Sequence, residues 1–358
     1  MRIAIDAREL SGRPTGVGRY LHHLLHEWAR DGVTHAFTLY SHDGRLASPP
    51  GLAAEIALVP GAGGTAWEQG ALARAVRRDR PDVYFAPGYT GPLRCGCPSV
   101  IAIHDVSFAA HPEWFRWREG ARRRWLARLS ARRAHTVLTI SRFSRDQIVR
   151  HLGVPAARVR VIPLGVGIDV PGRDPAAAEP LVLYVGSIFN RRHLPDLIAG
   201  FGQLASRRAD VRLEIVGENR TWPAQDLAAA AARTGAGDRI RVRDWVSDME
   251  LAGLYRRASA FAFLSEYEGF GLTPLEALAA GVPPVVLDTA VAREVYGPAA
   301  IYVATPEAAA IARALTAALD QGHARDEVLR AAPDVLARYR WRDTAEATLA
   351  ALVEAGSR

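Results

Sequence analysis

Two glutamates, Glu268 and Glu276, stand eight positions apart in a segment that follows an apolar run and opens a helical one. Gly269 and Gly271 leave the backbone bare just before that helix, and the N–H groups of a helix N-terminus form a ready phosphate site. Glu268 lies at the rim of such a site, where a sugar could bind. The segment from Thr273 to Glu276 also fits a capping box, with threonine at the N-cap and proline at N1, which gives Glu276 a structural alternative.

A second candidate site is the basic segment Arg191-Arg192-His193, which follows an apolar run and precedes a helix. Cations at a helix N-terminus oppose its macrodipole, so this cluster calls for a compensating anion. A diphosphate would serve, because guanidinium groups grip phosphate oxygens through paired N–H donors. The alternative is a pair of arginines that point away into solvent.

His104 and Asp105 directly follow the apolar run Val100 to Ile103. A histidine in this position can hydrogen-bond a sugar hydroxyl or stabilise developing charge, and the neighbouring aspartate could fix its tautomer. The alternative is a histidine whose ring is satisfied by local backbone.

The segment Gly16-Val17-Gly18 follows the first apolar run and opens a helix. Its glycines would let backbone N–H groups approach a ligand closely. It is not a full dinucleotide fingerprint, because Leu21 stands where the third glycine is needed. The choice is therefore between a ligand-facing loop and a plain strand-to-helix turn.

These segments are positioned by twelve short apolar runs, from Ile3–Ala7 to Ile301–Val303, that alternate with helical stretches. This alternation is typical of parallel sheets covered by helices. A Pro- and Ala-rich stretch at 171–180 predicts a linker between domains 1–170 and 181–340, followed by a C-terminal helix at 341–358. In such sheets ligands bind beyond the carboxyl ends of the strands, where the four segments fall.

The composition agrees with this organisation. A chain of 358 residues that is 49% hydrophobic favours two folded domains. Cys95 and Cys97 are too few and too close for a disulfide framework or a tetrahedral zinc site, so we expect a reducing compartment. With no run of 18 apolar residues and a first segment that resembles a strand, we expect a cytoplasmic protein.

The positive charge is concentrated in one segment. Residues 116–133 contain eight arginines and one glutamate, which accounts for the whole net charge of +7, so a nucleic-acid footprint over the whole protein is disfavoured. The basic helix predicted at 114–133 also has Trp114, Trp117 and Trp125 at helical spacing, together with Ala121 and Leu129. Aromatic residues on one side and arginines on the other would suit an anionic membrane surface. The alternative is a helix packed inward through its tryptophans.

Taken together, these residues resemble glycosyltransferase family 4, whose members are retaining, nucleotide-sugar-dependent enzymes. The most specific element is the pair Glu268 and Glu276, within Tyr-Glu-Gly-Phe-Gly-Leu. The basic pair, the His104-Asp105 turn and the Gly16–Gly18 segment agree in order and spacing. The resemblance implies a GT-B fold of two Rossmann-like α/β domains that face each other across a cleft, with a C-terminal helix that returns to the N-terminal domain.

The resemblance also implies roles for these residues. Glu268 would position the transferred sugar and its transition state, and Glu276 would bind the donor ribose. His104 would be the second catalytic residue and would contact the donor sugar. The other implied assignments are Arg191, Arg192, Gly271, Leu272 and Thr273 for the diphosphate; Gly16, Val17, Gly18, Gly269 and Phe270 for the donor sugar; and Trp245 and Val246 for the base. Arg192, Thr273 and Arg293 depart from the lysine, proline and proline that are common in the family.

The activity that the resemblance implies is transfer of a hexose, with mannose favoured, from a GDP- or UDP-linked donor to a saccharide, glycolipid or small-molecule acceptor. No D-x-D type metal constellation is evident, so we expect no metal ion and no other cofactor. A sugar-nucleotide epimerase or a phosphorylase shares the architecture, although a chain without lysine cannot hold a pyridoxal cofactor. A non-catalytic nucleotide-sugar binding protein is a further alternative, disfavoured by the two intact glutamates.

Overall fold

The computed structural model describes residues 1–12, 16–167 and 178–357 of the chain. They form two compact units, one built from Met1–Gly165 with Tyr339–Arg358 and the other from Val166–Arg338. Most of the predicted linker, residues 171–177, lies outside the described residues.

The first unit contains a sheet of seven parallel strands among its described residues, in the order β3-β2-β1-β4-β5-β6-β7. Most of its central strands are buried on both faces, as expected for a parallel sheet covered by helices. The strands are β1 (Arg2–Asp6), β2 (Ala36–Ser41), β3 (Ala54–Leu58), β4 (Val83–Ala86), β5 (Ser99–Ala102), β6 (Thr136–Thr139) and β7 (Val159–Val161). The helices are α1 (Gly16–Arg30), α2 (Thr65–Trp67), α3 (Ala73–Asp79), α4 (Ser107–Ala110), α5 (Trp117–Arg133), α6 (Arg142–Leu152) and, from the end of the chain, α14 (Trp341–Gly356).

The second unit contains six parallel strands in the order β10-β9-β8-β11-β12-β13, again among its described residues. The strands are β8 (Leu181–Val185), β9 (Arg212–Val216), β10 (Ile240–Arg243), β11 (Ala260–Phe263), β12 (Pro284–Leu287) and β13 (Ile301–Val303). The helices are α7 (Leu194–Ala205), α8 (Leu227–Ala232), α9 (Asp248–Arg257), α10 (Leu272–Ala279), α11 (Ala290–Tyr296), α12 (Ala308–Leu319) and α13 (His323–Leu336).

Each predicted strand is found within one residue of its expected ends, and β3 is the strand that the sequence pattern did not reveal. It pairs only with β2 at the edge of the sheet, and Ile56 and Leu58 are 37% and 55% exposed. Its sequence, Ala-Glu-Ile-Ala-Leu, is a short apolar run rich in good helix formers, and a run of this length does not distinguish a strand from a helical segment.

Both sheets reverse their direction of strand addition once, between β1 and β4 in the first unit and between β8 and β11 in the second. In doubly wound sheets the chain leaves the two strands at such a point toward opposite faces, which opens a crevice at their carboxyl ends. The loops after β8 and β11 are therefore the first place to look for a site in the second unit.

The C-terminal helix α14 packs within the first unit, which confirms the predicted return of the chain. The indole Nε1 of Trp28 in α1 donates to the Ala345 carbonyl at 3.0 Å. The Thr344 hydroxyl donates to the Pro163 carbonyl at 2.8 Å, and the His23 ring stacks on Trp341 at a centroid distance of 4.2 Å.

The basic helix differs from its prediction in two ways. It begins at Trp117, and Trp114 instead ends a short 3-10 turn, where its ring stacks on His111 at 3.9 Å. Trp117 and Trp125 are 77% and 61% exposed, so the alternative of a helix packed inward through its tryptophans is wrong. The core contacts come from small and aliphatic residues instead, namely Gly120, Leu126, Ala127, Ser130 and Ala131. In the described part of the chain, no helix is both long enough and apolar enough to span a membrane.

Candidate active site

The loops after β8 and β11 meet through an ion pair between Arg192 and Glu268. Nε and a terminal nitrogen of Arg192 both lie 2.9 Å from Oε1 of Glu268, to which Ser265 also donates a hydrogen bond of 2.8 Å. The two charged side chains are 12% and 17% exposed. The structure therefore joins the predicted diphosphate ligand Arg192 directly to the predicted sugar-binding glutamate.

Arg192 is held on its other side by the strand it follows. Its NH1 group donates to the Ser187 carbonyl at 2.6 Å and to the Tyr184 hydroxyl at 3.4 Å. Gly186 makes this approach possible, because a Cβ at that position would lie 2.7 Å from the same nitrogen. Burial opposes the guanidinium charge, but Glu268 and Tyr184 outweigh it, so the pKa of Arg192 is raised.

Arg191 and His193 also contact the loop after β11. Nε of Arg191 donates to the Tyr267 carbonyl at 3.1 Å, and its guanidinium lies 4.4 Å from the centre of the Phe189 ring. Nδ1 of His193 lies 3.0 Å from a carboxylate oxygen of Asp196, and its Nε2 lies 3.5 Å from one of Glu266. The alternative of arginines directed into solvent is therefore wrong, and the protein itself supplies part of the negative charge that this segment requires.

The N-terminus of α10 lies in the same loop but is not capped as predicted. The helix begins at Leu272, and Gly271 occupies the N-cap position with a φ of 89° and no side-chain cap. Thr273 is already inside the first turn, so the expected capping box is wrong. Gly271 is required here because a Cβ would lie 2.0 Å from the Tyr296 hydroxyl, which donates to the Gly271 carbonyl at 2.9 Å.

This cap leaves donors available. The amide N–H groups of Leu272 and Thr273 have no hydrogen-bond acceptor among the described residues, and the first turn contains no acidic residue. Unpaired amides and the positive end of the helix dipole favour an anion at this position. Gly269 and Phe270 connect Glu268 to the cap of the helix, and both are buried.

Glu276 is buried, with 3% of its surface exposed, rather than part of the helix cap. Its Oε2 accepts a hydrogen bond of 3.2 Å from the Tyr255 hydroxyl of α9. A small cavity of about 10 Å³ lies near Glu268, lined among others by Phe263, Ser265 and Tyr296. Glu268 thus lies in the loop before α10, and Glu276 lies inside the helix just after its first turn.

In the first unit, His104 lies at the carboxyl end of β5 and packs edge-on against Tyr20 at 4.9 Å. Its Nε2 lies 2.9 Å from the Pro87 carbonyl, which can only accept, so Nε2 carries the proton. Burial lowers the pKa of His104, and the neutral ring leaves Nδ1 as an acceptor with no partner in the described residues.

Asp105 does not fix the His104 tautomer as expected. Its Oδ1 accepts from the Ser107 amide at 2.9 Å and from the Ser107 hydroxyl at 2.7 Å, while Oδ2 accepts from Tyr89 at 3.1 Å. Asp105 therefore binds the first residue of α4, and the Pro87 carbonyl orients the histidine.

Gly16, Val17 and Gly18 form the first turn of α1 rather than a loop, and residues 13–15 before them lie outside the described part of the chain. A Cβ on Gly88, which follows β4, would lie 3.1 Å from Val17. The segment therefore lies beyond the carboxyl ends of the paired strands β1 and β4. It is close in sequence to Tyr20, whose ring packs against His104.

Trp245 and Val246 follow β10, the edge strand of the second sheet. Trp245 is 60% exposed and Val246 is 5% exposed. The aromatic ring is accessible to a ligand, whereas Val246 belongs to the packing of the loop.

Sequence reasoning missed the residues that hold the predicted ones in place. Tyr184, Ser265 and Tyr255 each bind a predicted site residue. Tyr184 lies on β8, and Ser265 lies in the loop that follows β11. A buried cluster at the end of β1 was also missed, in which a terminal nitrogen of Arg8 lies 2.5 Å from both Asp6 and Glu68. The only sequence signal for Tyr184 and Ser265 was their position near strand carboxyl ends.

Among the residues that the structure describes, no three or more His, Cys, Asp or Glu side chains are grouped so that they could hold a metal ion. The groups that face a candidate anion in the second unit are instead guanidinium and backbone N–H donors.

Comparison with known proteins adds two family matches that follow each other along the chain. The model described as Glycosyltransferase Family 4 matches residues 14–170, and the model described as Glycosyl transferases group 1 matches residues 173–334. Their junction falls between the two predicted domains.

Two curated relatives are mannosyltransferases. O-antigen chain mannosyltransferase B of Escherichia coli is 30% identical over 247 residues, covering 65% of this chain and 63% of the relative. The GDP-mannose:cellobiosyl-diphosphopolyprenol alpha-mannosyltransferase of Komagataeibacter xylinus is 31% identical over 224 residues, covering 60% and 55%. The chain thus spans less than two thirds of the length of these relatives.

Among solved structures, the sucrose-phosphate synthase of Thermosynechococcus elongatus superimposes with a TM-score of 0.78. It is 17% identical, and the match covers 99% of this chain and 98% of that one. This likeness confirms the predicted GT-B fold class of two Rossmann-like α/β units.

Proposed function

The chain belongs to glycosyltransferase family 4, and we propose that it transfers a hexose from a nucleoside diphosphate sugar to an acceptor hydroxyl. One observation carries the proposal: Arg191 and Arg192 contact the loop after β11, which contains Glu268 and leads to the start of α10. That start has no side-chain cap. Guanidinium and amide donors converge there beside one carboxylate, which is the arrangement that a sugar diphosphate requires.

Each group then has a chemical task. Arg191 and the amides of Leu272 and Thr273 would bind the diphosphate and stabilise the charge that grows on it as the bond to the sugar breaks. Glu276 would bind the ribose hydroxyls. Glu268, oriented by Arg192 and Ser265, would position the sugar and stabilise positive charge at its anomeric carbon.

The reaction we propose breaks the bond between the anomeric carbon and the diphosphate oxygen and forms a bond to the acceptor oxygen on the same face. The acceptor proton passes to the departing diphosphate, so the sugar keeps its anomeric configuration. No step needs a metal ion, because cationic side chains and the helix N-terminus compensate the negative charge of the leaving diphosphate. In the first unit, the neutral His104 ring is suited to accept a hydrogen bond from a sugar hydroxyl through Nδ1.

For the donor we propose a GDP-linked mannose, with a UDP-linked hexose as the alternative. This proposal is supported by the names of the two relatives, since both are mannosyltransferases and one name includes GDP-mannose as the donor. One of them acts on a lipid diphosphate saccharide, so a saccharide on a lipid carrier is the acceptor class we propose.

Calorimetric titration with GDP, UDP and their common sugar conjugates tests the proposal. We expect binding of one nucleotide family that EDTA does not change. Arg191→Met should weaken the binding of the nucleoside diphosphate about 10- to 100-fold, the range expected for loss of a charge-assisted hydrogen bond.

Arg207→Met is the matched control, because Arg207 is exposed and its side chain takes part in no hydrogen bond or ion pair of the described residues. Absence of binding by every nucleotide, or equal affinities for the Arg191 and Arg207 variants, would overturn the proposal.

A further inference from the structure

One exposed side of α5 combines arginines with a tryptophan. Arg118, Arg122, Trp125, Arg128 and Arg132 recur every three or four residues, so they lie on the same side of the helix. All five are exposed, and we call this surface the α5 outer face. The predicted separation of aromatic residues from arginines is therefore wrong, because both kinds share the outer face.

The charge on the α5 outer face is not neutralised within the protein. None of the hydrogen bonds or ion pairs of the described residues uses the guanidinium of Arg118, Arg122, Arg128 or Arg132. By contrast, the exposed Arg293 pairs with Asp288 at 2.7 Å. Four adjacent unpaired cations leave a local positive field that an anionic surface would complement.

Neighbouring arginines of α5 are used differently. The Arg123 guanidinium lies 5.9 Å from the centre of the Tyr89 ring, and Arg124 donates to the Phe108 carbonyl at 3.4 Å. These two side chains serve the packing of α5 on its own unit. The distinction separates arginines that hold the helix from those available to a partner.

The exposed indoles point to the class of partner. Trp125 lies among the arginines with 61% of its surface exposed, and Trp117 at the start of the helix is 77% exposed. An indole prefers the boundary between lipid headgroups and acyl chains, while arginines beside it reach the phosphates. An exposed indole gains most from an apolar layer, which a lipid surface offers and a phosphate backbone does not, so this combination favours lipid over nucleic acid.

We propose that the α5 outer face binds a membrane surface rich in anionic phospholipid, with Trp117 and Trp125 inserted at the headgroup level. This proposal stands on the surface of the first unit and does not depend on the reaction proposed for the second. If the acceptor is a lipid-linked saccharide, the same contact holds the enzyme at the layer where that acceptor lies.

Sedimentation with vesicles tests the proposal directly. The full chain should bind vesicles of phosphatidylcholine and phosphatidylglycerol and not vesicles of phosphatidylcholine alone, and binding should fall as salt is raised. The triple variant Arg122→Glu, Arg128→Glu, Arg132→Glu should bind anionic vesicles at least about 100-fold more weakly, from the contribution expected of each arginine near a charged surface.

The matched control reverses the same amount of charge elsewhere. Arg207→Glu, Arg313→Glu and Arg330→Glu change three exposed arginines of the second unit, and this variant should bind within a few-fold of wild type. Trp117→Ser with Trp125→Ser keeps the charge and should weaken binding about tenfold, because less apolar area enters the interface.

Three results would overturn the proposal. One is equal loss of vesicle binding in the two triple variants, which would show that net charge alone matters. Another is unchanged binding in the tryptophan variant. The third is binding to duplex RNA or DNA, lost in the α5 variant, without any binding to anionic vesicles.

Discussion

Replacing Arg192 by methionine tests whether the ion pair with Glu268 supports the second unit as well as the site. The two side chains are only 12% and 17% exposed, so after the change the Glu268 carboxylate would have no cationic partner and little contact with water. Removing one partner of a buried pair typically costs about 3–5 kcal/mol. Because Ser265 still donates to Glu268 at 2.8 Å, we expect the lower end, about 3 kcal/mol.

This loss should appear in the melting temperature of the second unit. For a unit of about 150–250 residues, 1 kcal/mol corresponds to roughly 2–4 °C, so the midpoint should fall by about 6–12 °C. Circular dichroism or differential scanning calorimetry would measure it. The control Arg207→Met, in an exposed position on the same unit, should shift the midpoint by less than about 2 °C.

The double variant Arg192→Met, Glu268→Gln separates charge from packing. Glutamine retains an oxygen that can accept from Ser265 but removes the uncompensated charge, so the double variant should be more stable than Arg192→Met alone. Equal melting temperatures for Arg192→Met and Arg207→Met, or additive losses in the double variant, would refute the reasoning.

Three further predictions concern the cap, a histidine and the C-terminal helix. Gly271→Ala should lower the melting temperature of the second unit much more than Gly235→Ala does. The two glycines have comparable φ values, 89° and 70°, but a Cβ at position 235 would meet nothing within 4 Å. Tyr296→Phe should restore part of the stability lost in Gly271→Ala, and equal effects of the two alanine substitutions would contradict the clash with Tyr296. Burial first, and Arg19 next, lower the pKa of His23 from 6.5 to about 4, so the unfolded chain binds a proton that the folded unit does not, and stability falls with pH below 6.5. His23→Gln should remove up to about 2 kcal/mol of the stability difference between pH 7 and pH 5, and unfolding curves with the same pH dependence as wild type would contradict the assignment. Thr344→Val removes the hydrogen bond to the Pro163 carbonyl and should lower the free energy of unfolding of the first unit by about 1–2 kcal/mol in a denaturant titration. An unfolding free energy equal to that of wild type would contradict this role of the hydrogen bond.

The alternation of apolar and helical runs was enough to predict both sheets, because buried parallel strands are almost purely apolar. Val83–Ala86 and Leu181–Val185 are examples, with every residue buried. The edge strand Ala54–Leu58 is also mostly apolar, but none of its residues is buried, and its alanines and leucine favour a helix as much as a strand. Hydrophobicity therefore identifies a strand only where the residue types and the length of the run also favour one.

The position of the candidate site was also predictable, because parallel strands bring their carboxyl ends to one edge. Its internal contacts were not. The Arg192–Glu268 pair joins residues 76 positions apart, and only the folded sheet brings them together. The cap of α10 was predicted wrongly because Thr-Pro-x-Glu satisfies the capping-box pattern, whereas Tyr296, which is remote in sequence, favours Gly271 as the cap.

The exposure of Trp117 and Trp125 illustrates a further limit. Helical spacing of large apolar residues predicts a buried stripe in most helices, and here Leu126, Ala127 and Ala131 form it instead. Small residues let α5 approach its unit closely, which leaves the large aromatic side chains outside. Periodicity alone does not distinguish these two arrangements.

The most direct test of the central claim is to follow GDP-mannose and a set of saccharide acceptors by proton NMR, with wild type and with Glu268→Gln, in the presence of EDTA. We predict that wild type releases GDP and forms an α-linked mannoside, and that Glu268→Gln binds the donor but forms product at least about 100-fold more slowly. Product of inverted configuration, turnover that persists in Glu268→Gln, or a requirement for a divalent metal ion would contradict the mechanism derived from this site.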